Sequence, residues 1–124
     1  MKEIRVYIAS LYTLGWMPTM INLQISMADK LLDEGYIPYT PMLAHFQEIY
    51  KPRPEDDWLK IDFAFLKCCH ALIRLFPLDK NGKKIPSNGA DQEEALAKKN
   101  NIPVFYSIEE LNDYFKANSK QLNI

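Results

Sequence analysis

The sequence has few of the residues that crosslink small secreted proteins, and it has no long hydrophobic run. Its 124 residues include only two cysteines, Cys68 and Cys69, and adjacent cysteines rarely reach the geometry of a structural disulfide. We therefore expect both thiols to be reduced. No apolar segment near the start has the length of a signal sequence or a membrane span, so the sequence predicts a cytoplasmic protein.

The chain also has almost no excess of charge and only two histidines. Fifteen basic and sixteen acidic residues give a formal net charge of −1, which provides no field to attract a nucleic-acid polymer or an anionic membrane. The cluster Cys68-Cys69-His70 would need further ligands to bind a metal, and His45 is the only other histidine. We therefore expect no metal, no cofactor, no nucleic-acid polymer and no membrane partner.

Length and composition are those of one folded domain. Hydrophobic residues make up 48% of the chain and charged residues 25%, as in ordinary globular proteins. A chain of this size is typical of a single hydrophobic core. We expect a domain over residues 1–117 and a short tail over residues 118–124.

Four short apolar segments, rich in β-branched and aromatic residues, are typical of buried strands. They occupy residues 4–9, 36–40, 71–76 and 103–106. Pro38 lacks a backbone donor, which favours the sheet edge for the second strand. Because these segments alternate with helical patterns, the sequence predicts an α/β fold: a doubly wound parallel sheet of four or five strands with helices on both faces.

Helical spacing of apolar residues identifies the helices between these strands. In the first helix the spaced residues are Ile21, Ile25, Ala28 and Leu32, and Gly35 follows as a C-terminal cap. In the second they are Trp58, Ile61, Phe65 and Cys68, preceded by Asp56 and Asp57. Residues 41–57 between them are predicted to form a long loop, and such loops often bind ligands.

The third helix, from residue 88 or 89 to about 99, carries a carboxylate on its inner face. Ala90, Glu93 and Ala97 lie three and four residues apart, which places them on one side of a helix. Ser107 and Glu110 offer a capping box for a final helix.

In a doubly wound sheet, ligands bind at the carboxyl ends of the strands. Ser10, Tyr12 and Thr13 follow the first strand, where hydroxyl and amide groups can hold a phosphate or a ribose. This segment lacks the glycine pattern of a phosphate-binding loop. In the predicted loop, His45 and Arg53 can stack on a base and reach an anion, or can instead cover the sheet edge or contact another subunit.

Three sequence blocks, in order, resemble the nucleoside 2-deoxyribosyltransferase-like superfamily, which includes nucleotide hydrolases and small, often phage-borne relatives. They are VYIAS at residues 6–10, WLKID at 58–62 and SNGADQE at 87–93. The resemblance implies a flavodoxin-like sheet and cleavage of an N-glycosidic bond in a nucleoside or nucleotide.

The resemblance also assigns roles to residues by motif position. It implies that Glu93, four residues after Gly89, is the nucleophile that forms a covalent glycosyl intermediate. It implies that Tyr7 and Asp62 lie near the base or the sugar, and that Ser87 lies near a phosphate. At position 87 the sequence resembles the relatives that hydrolyse deoxynucleoside 5′-monophosphates, which also have a serine there. We therefore expect a monophosphate to bind better than its nucleoside.

Two further positions depart from the superfamily pattern. Many small relatives have an aspartate where this chain has His70, and the loop over residues 76–86 is longer than usual. These departures are also compatible with two other functions. One is a non-catalytic nucleotide-binding or sensor module, and the other is a subunit-assembly or phage accessory protein. An enzyme remains the favoured hypothesis, and the resemblance implies a homo-oligomer.

Each assigned residue has a structural alternative. Glu93 can be a helix-surface glutamate, Tyr7 a packed core aromatic and Ser87 a helix cap. Asp62 can act as the general acid that protonates the departing base, or it can be a solvated carboxylate, with Asp56 and Asp57 as rivals. If the catalytic hypothesis holds, Tyr7 and Glu93 face one cleft, and the N-terminus of the third helix keeps Glu93 ionised.

Overall fold

The computed structural model describes residues 3–10, 17–41 and 43–121, with the side chains of all of these except 17–19, 43–45 and 117–121. Within these residues, strands and helices alternate as the sequence predicts, with one additional helix. In chain order the elements are β1 (Arg5–Ala9), α1 (Met17–Asp33), β2 (Ile37–Tyr39), α2 (Leu43–Tyr50), α3 (Glu55–Leu66), β3 (Ala71–Arg74), α4 (Asn88–Lys99), β4 (Val104–Phe105) and α5 (Ile108–Gln121).

The four strands form a parallel sheet in the order β2-β1-β3-β4. Tyr7 of β1 lies opposite Tyr39 of β2 and Leu72 of β3. The strand with Pro38 is at an edge, as expected for a residue without a backbone donor. The predicted α/β, flavodoxin-like fold is confirmed. Its topology switches direction between β1 and β3, which is where such folds bind ligands.

Alternating side chains divide the core between the two faces of the sheet. On one face Val6 and Ile8 of β1 pack in a cluster with Leu31 of α1 and Leu111 of α5. On the other face Tyr7 forms a cluster whose further members are Ala9, Leu66 of α3, Leu72 and Ala97 of α4. Helices therefore cover both faces, and α3 and α4 lie on the face that Tyr7 occupies.

The first helix turns a different side toward the core than its apolar spacing predicts. Ile25 and Leu32 are 50% and 58% exposed, whereas Met20 and Leu31 are fully buried. The two sets are offset by one position, about 100° around the helix, and both are apolar. Periodicity alone cannot choose between such stripes, because only packing on the sheet determines which one is buried.

The end of α1 has the geometry that the glycine indicates. Gly35 has φ of 91°, in the left-handed region, its N–H donates to Leu32 O, and Tyr36 N–H donates to Leu31 O. These two bonds are the Schellman pattern.

The segment predicted as a long loop contains α2, and α3 begins at Glu55. The inner face of α3 is also different from the prediction. Its buried residues are Trp58, Asp62 and Leu66, while Ile61 and Phe65 are 43% and 50% exposed. Cys68 lies beyond the helix and is exposed.

At the C-terminal end, α5 continues past residue 117, where the sequence predicts the tail to begin. Among the described residues, none of the helices is both long enough and apolar enough to span a bilayer.

Candidate functional site

A cavity of about 420 Å³ opens at the carboxyl end of β1, between α3 and α4. This is the position that the strand order favours for a ligand. Its described lining residues are spread along the sequence from Ser10 to Glu93. Its described lining consists of Ser10, Gln24, Pro41, Glu48, Arg53, Glu55, Trp58, Leu59, Asp62, Pro86, Ser87, Asn88, Gly89, Ala90 and Glu93.

Glu93 lines this cavity and contacts Tyr7, which is not part of the described lining. Glu93 is 5% exposed and shares the buried face of α4 with Ala90 and Ala97. The two small alanines allow the helix to approach the sheet closely enough for the glutamate to reach β1. Tyr7 is fully buried, and its phenol O–H donates a hydrogen bond to Glu93 Oε2. The two side chains thus lie on the same side of the sheet.

Asp62 faces the same cavity from α3. It is 9% exposed, one turn from Trp58 and one turn from Leu66 on the buried side of the helix. Of the two rival carboxylates, Asp57 forms an ion pair with Arg53 at 3.0 Å. Neither Asp56 nor Asp57 belongs to the described lining of the cavity.

Burial makes both cavity carboxyls difficult to ionise. It raises the pKa of Asp62 to about 7. It also raises the pKa of Glu93 to about 8; the hydrogen bond from Tyr7 and the charge of Arg74 oppose this rise, and the nearby Asp62 adds to it. The expectation that the helix N-terminus keeps Glu93 ionised is wrong, because burial raises the pKa of this carboxyl. Glu93 is the sixth residue of α4, and the effect of a helix N-terminus is mostly confined to the first turn. Since the two carboxyls interact, their protons are lost as a coupled pair.

Tyr7 remains a neutral phenol. Burial and the neighbouring charge of Glu93 both raise the pKa of Tyr7 far above its ordinary value. It can therefore donate a hydrogen bond to Glu93 but cannot act as a base near neutral pH. Its ring also packs against Tyr39, with 5.6 Å between ring centroids, which fixes the phenol position.

The N-terminus of α4 forms another wall. Ser87 Oγ accepts a hydrogen bond from Ala90 N at 3.1 Å. This serine therefore caps the helix, which is the structural role that the sequence offered as an alternative to a phosphate contact. Ser87 and Gly89 both line the cavity. A Cβ at position 89 would approach Glu55 Oε1 no closer than 4.0 Å, so packing alone does not require glycine there.

Glu48 of α2 fixes the outer wall of the cavity, and no motif in the sequence marks this residue. Glu48 Oε2 accepts hydrogen bonds from Trp58 Nε1 at 2.6 Å and from Arg53 N at 3.1 Å. These contacts join α2 to α3. The sequence predicts a loop in this region. The contacts of Glu48 with Trp58 and Arg53 depend on the helix α2 that carries it, so a predicted loop gives no indication of them.

Arg74, at the end of β3, anchors α4 from the sheet. Its side chain is 3% exposed, and Nη1 lies 2.9 Å from Asp91 Oδ1 and 3.3 Å from Glu94 Oε1. These acidic residues are on either side of Glu93 in the sequence. The two ion pairs therefore fix the part of α4 that presents Glu93 to the cavity.

The structure does not describe the side chains of three predicted binding residues. Tyr12 and Thr13 lie outside the described residues. His45 is in α2 by its backbone, and its side chain is outside the described part. His70 lies at the amino end of β3, where its Nδ1 accepts a hydrogen bond from Arg5 N at 2.9 Å. Among described residues, no group of three or more His, Cys, Asp or Glu is arranged to hold a metal.

The raised pKa of Glu93 leads to a prediction for stability. Above pH 4.5 the glutamate ionises in the unfolded chain but stays protonated in the folded one, so stability decreases until the pH passes about 8. Glutamine does not ionise and can still accept the hydrogen bond of Tyr7. We expect Glu93→Gln to raise the free energy of unfolding at pH 9 by about 5 kcal/mol and to change it little at pH 4, as measured by urea unfolding.

Glu94→Gln is the matched control. Burial opposes ionisation of Glu94, but hydrogen bonds from Lys98 and Tyr106 outweigh it and lower the pKa of this carboxyl. Its substitution should therefore decrease stability at pH 9. A Glu93→Gln variant no more stable than the wild type at pH 9 would show that Glu93 is not desolvated.

Comparison with solved structures found an enzyme with a similar fold. A 2-deoxyribosyltransferase from the psychrotolerant bacterium Bacillus psychrosaccharolyticus, a biocatalyst for nucleoside synthesis, is 16% identical in sequence, with a TM-score of 0.54. The match covers 81% of this chain and 69% of that enzyme. At this identity the likeness shows the fold alone. No known protein family and no curated protein matched the sequence.

Proposed function

We propose that this protein cleaves or transfers the N-glycosidic bond of a nucleoside or nucleoside 5′-monophosphate through a covalent glycosyl intermediate on Glu93. The observation that carries the proposal is the buried Glu93 carboxyl, held by the Tyr7 hydroxyl, in a cavity that also contains Asp62. One carboxyl that attacks and one that handles the proton are what glycosidic bond cleavage with retention requires.

In the first step, a Glu93 carboxylate oxygen attacks the anomeric carbon as the bond to the base nitrogen breaks. The bonding electrons leave with the base, and Asp62 gives it a proton. In the second step, water or a second base attacks the same carbon and releases Glu93. Asp62 accepts the proton that the attacking group loses. Two inversions give net retention of configuration.

The form that reacts carries one proton for the two carboxyls. Glu93 must be ionised to attack, and Asp62 must be protonated to assist departure of the base. With pKa values of about 8 for Glu93 and about 7 for Asp62, the singly protonated pair is most populated between these values. In most of these pairs the proton is on Glu93, so the reactive form, with the proton on Asp62, is the minor one of the two. Tyr7 supports the reactive form, because its hydroxyl donates to the ionised Glu93.

The alternative is a non-catalytic nucleotide-binding or sensor module. The raised pKa of Glu93 favours it in one respect, since a protonated carboxyl can donate a hydrogen bond to a bound ligand. An accessory protein without a ligand is less consistent with the cavity. The homo-oligomer implied by the superfamily resemblance stays a prediction, which light scattering on the purified protein tests.

A chromatographic screen for released base tests the proposed function. The purified protein is incubated with a panel of nucleosides and 5′-monophosphates, with and without a second free base. Release of base in buffer alone indicates a hydrolase, and exchange that needs the second base indicates a transferase. Faster turnover of monophosphates would agree with the expectation based on Ser87. Binding without base release anywhere in the panel would favour the sensor module.

A further inference from the structure

Gln24 is a polar residue at an apolar position of the buried stripe of α1. One turn before it lies Met20 and two turns after it lies Leu31, both fully buried, and Gln24 itself is 1% exposed. Its side chain lines the same cavity as Glu93. Its Oε1 is buried and accepts no hydrogen bond from the described residues. An unsatisfied buried amide opposes folding, so this position is unfavourable for stability alone.

Ser10 presents a second group of this kind. It follows β1, lines the same cavity, and its Oγ is buried with no hydrogen-bond partner in the described part of the chain. Since both atoms lack a partner there, Ser10 Oγ and Gln24 Oε1 are not bonded to each other. One is a hydroxyl that can donate, and the other is an oxygen that can only accept.

The two groups lie across the end of β1 from the carboxyls. Helix α1 packs on the face of the sheet that Val6 and Ile8 occupy, whereas α3 and α4 pack on the Tyr7 face. A ligand whose anomeric carbon is at Glu93 and whose base is near Asp62 would therefore extend its remaining sugar atoms toward Ser10 and Gln24.

We infer that Ser10 and Gln24 form a subsite for a sugar hydroxyl of the ligand. The hydroxyl donates to Gln24 Oε1 and accepts from Ser10 Oγ–H, which satisfies both buried atoms. A phosphate or a carbonyl has only acceptors and would leave Gln24 Oε1 unsatisfied. This inference rests on the proposed function for the position of the sugar, but it concerns binding and does not require turnover.

Calorimetric titration with adenosine and its 2′-, 3′- and 5′-deoxy analogues tests the subsite, with a uridine series in parallel. For the wild-type protein we expect one deoxy analogue to bind about 10-fold more weakly than its parent. That analogue identifies the hydroxyl. Gln24→Met has a similar shape without the acceptor, and it should reduce the difference to within about twofold by weakening only the hydroxylated ligands.

Two further variants complete the design. Ser10→Ala should weaken the same ligands as Gln24→Met does. Gln92→Met makes the same change on α4 at a residue that is not part of the described lining, and it should bind as the wild type does. Because Gln24→Met removes a buried unsatisfied acceptor, its thermal midpoint should equal or exceed that of the wild type. A lower midpoint would indicate a structural role and contradict the subsite.

Other outcomes separate this inference from the proposed function. Base release by the wild type, with equal affinity for all analogues or unchanged discrimination by Gln24→Met, would overturn the subsite and leave the enzyme intact. Discrimination that Gln24→Met abolishes, without base release from any substrate, would support the subsite and overturn catalysis. No binding by either nucleoside series would overturn the subsite, and with no base release it would overturn both.

Discussion

Replacing Glu93 with glutamine is expected to lower the rate of base release by at least about 10³-fold, because the amide cannot form the glycosyl bond. The amide has the same shape and can still accept the hydrogen bond of Tyr7, so binding should change far less than turnover. Steady-state rates and calorimetric affinities measured on the same preparation separate these two effects. Glu93→Ala should also abolish base release and leave the fold intact.

Glu94→Gln controls for the loss of a carboxylate on the same helix. Glu94 points to Arg74, Lys98 and Tyr106, outside the described lining of the cavity. The glutamine oxygen can still accept a hydrogen bond from Arg74, and the ion pair between Arg74 and Asp91 remains. Base release should therefore stay within a few-fold of the wild-type rate, despite some loss of stability. Comparable turnover by wild type and Glu93→Gln would exclude Glu93 as the nucleophile.

The second large effect is expected for Asp62→Asn, which removes the group that protonates the departing base. General acid catalysis typically contributes about 10²- to 10⁴-fold, and base release from an ordinary nucleoside should decrease by that factor. A nucleoside whose base already carries a positive charge, such as 7-methylguanosine, needs no proton to leave. On that substrate Asp62→Asn should retain most of the wild-type rate.

The pH dependence provides a second measurement of the same assignment. Wild-type kcat/KM should be bell-shaped, with a maximum between pH 7 and 8, because burial raises the pKa of Asp62 to about 7 and that of Glu93 to about 8. Asp62→Asn should lose the decrease on the alkaline side, which reports the proton on the acid. An equal loss on both kinds of nucleoside, with an unchanged profile, would show that Asp62 only shapes the cavity.

The sequence was sufficient to predict the parts of the fold that local chemistry determines. β1 is apolar from Val6 to Ala9, and Pro38 indicates an edge strand. Gly35 ends α1 through a positive φ. The spacing of Ala90, Glu93 and Ala97 places all three on the buried face of α4. These features depend on neighbours in sequence, which is why the pattern alone was informative.

Features that depend on distant contacts were not predictable from the pattern. The buried stripe of α1 is determined by the sheet on which it packs, and the sequence offers two apolar stripes. Gln24 lies on the buried stripe, whereas the apolar spacing predicted the other stripe to be buried. Its buried carboxamide therefore became evident only from the structure. The ionisation of Glu93 was also missed, because the degree of desolvation is a property of the folded cavity.

Arg74 shows how the fold and the candidate site depend on each other. Its ion pairs with Asp91 and Glu94 connect the end of β3 to α4, and its charge opposes the effect of burial on the pKa of Glu93. The sequence shows an arginine at the end of an apolar strand but not its partners, which lie 17 and 20 residues away.

The central claim is that Glu93 forms a bond to the sugar, and mass spectrometry of a trapped intermediate tests it most directly. A nucleoside with fluorine at the 2′ carbon should form the glycosyl ester but release it slowly, because the fluorine destabilises the oxocarbenium-like transition state. We predict that the protein gains the mass of one fluorinated sugar on the peptide that contains Glu93, and that Glu93→Gln gains none. If wild-type protein releases base from that nucleoside without any adduct, or carries the adduct on another residue, the account is contradicted.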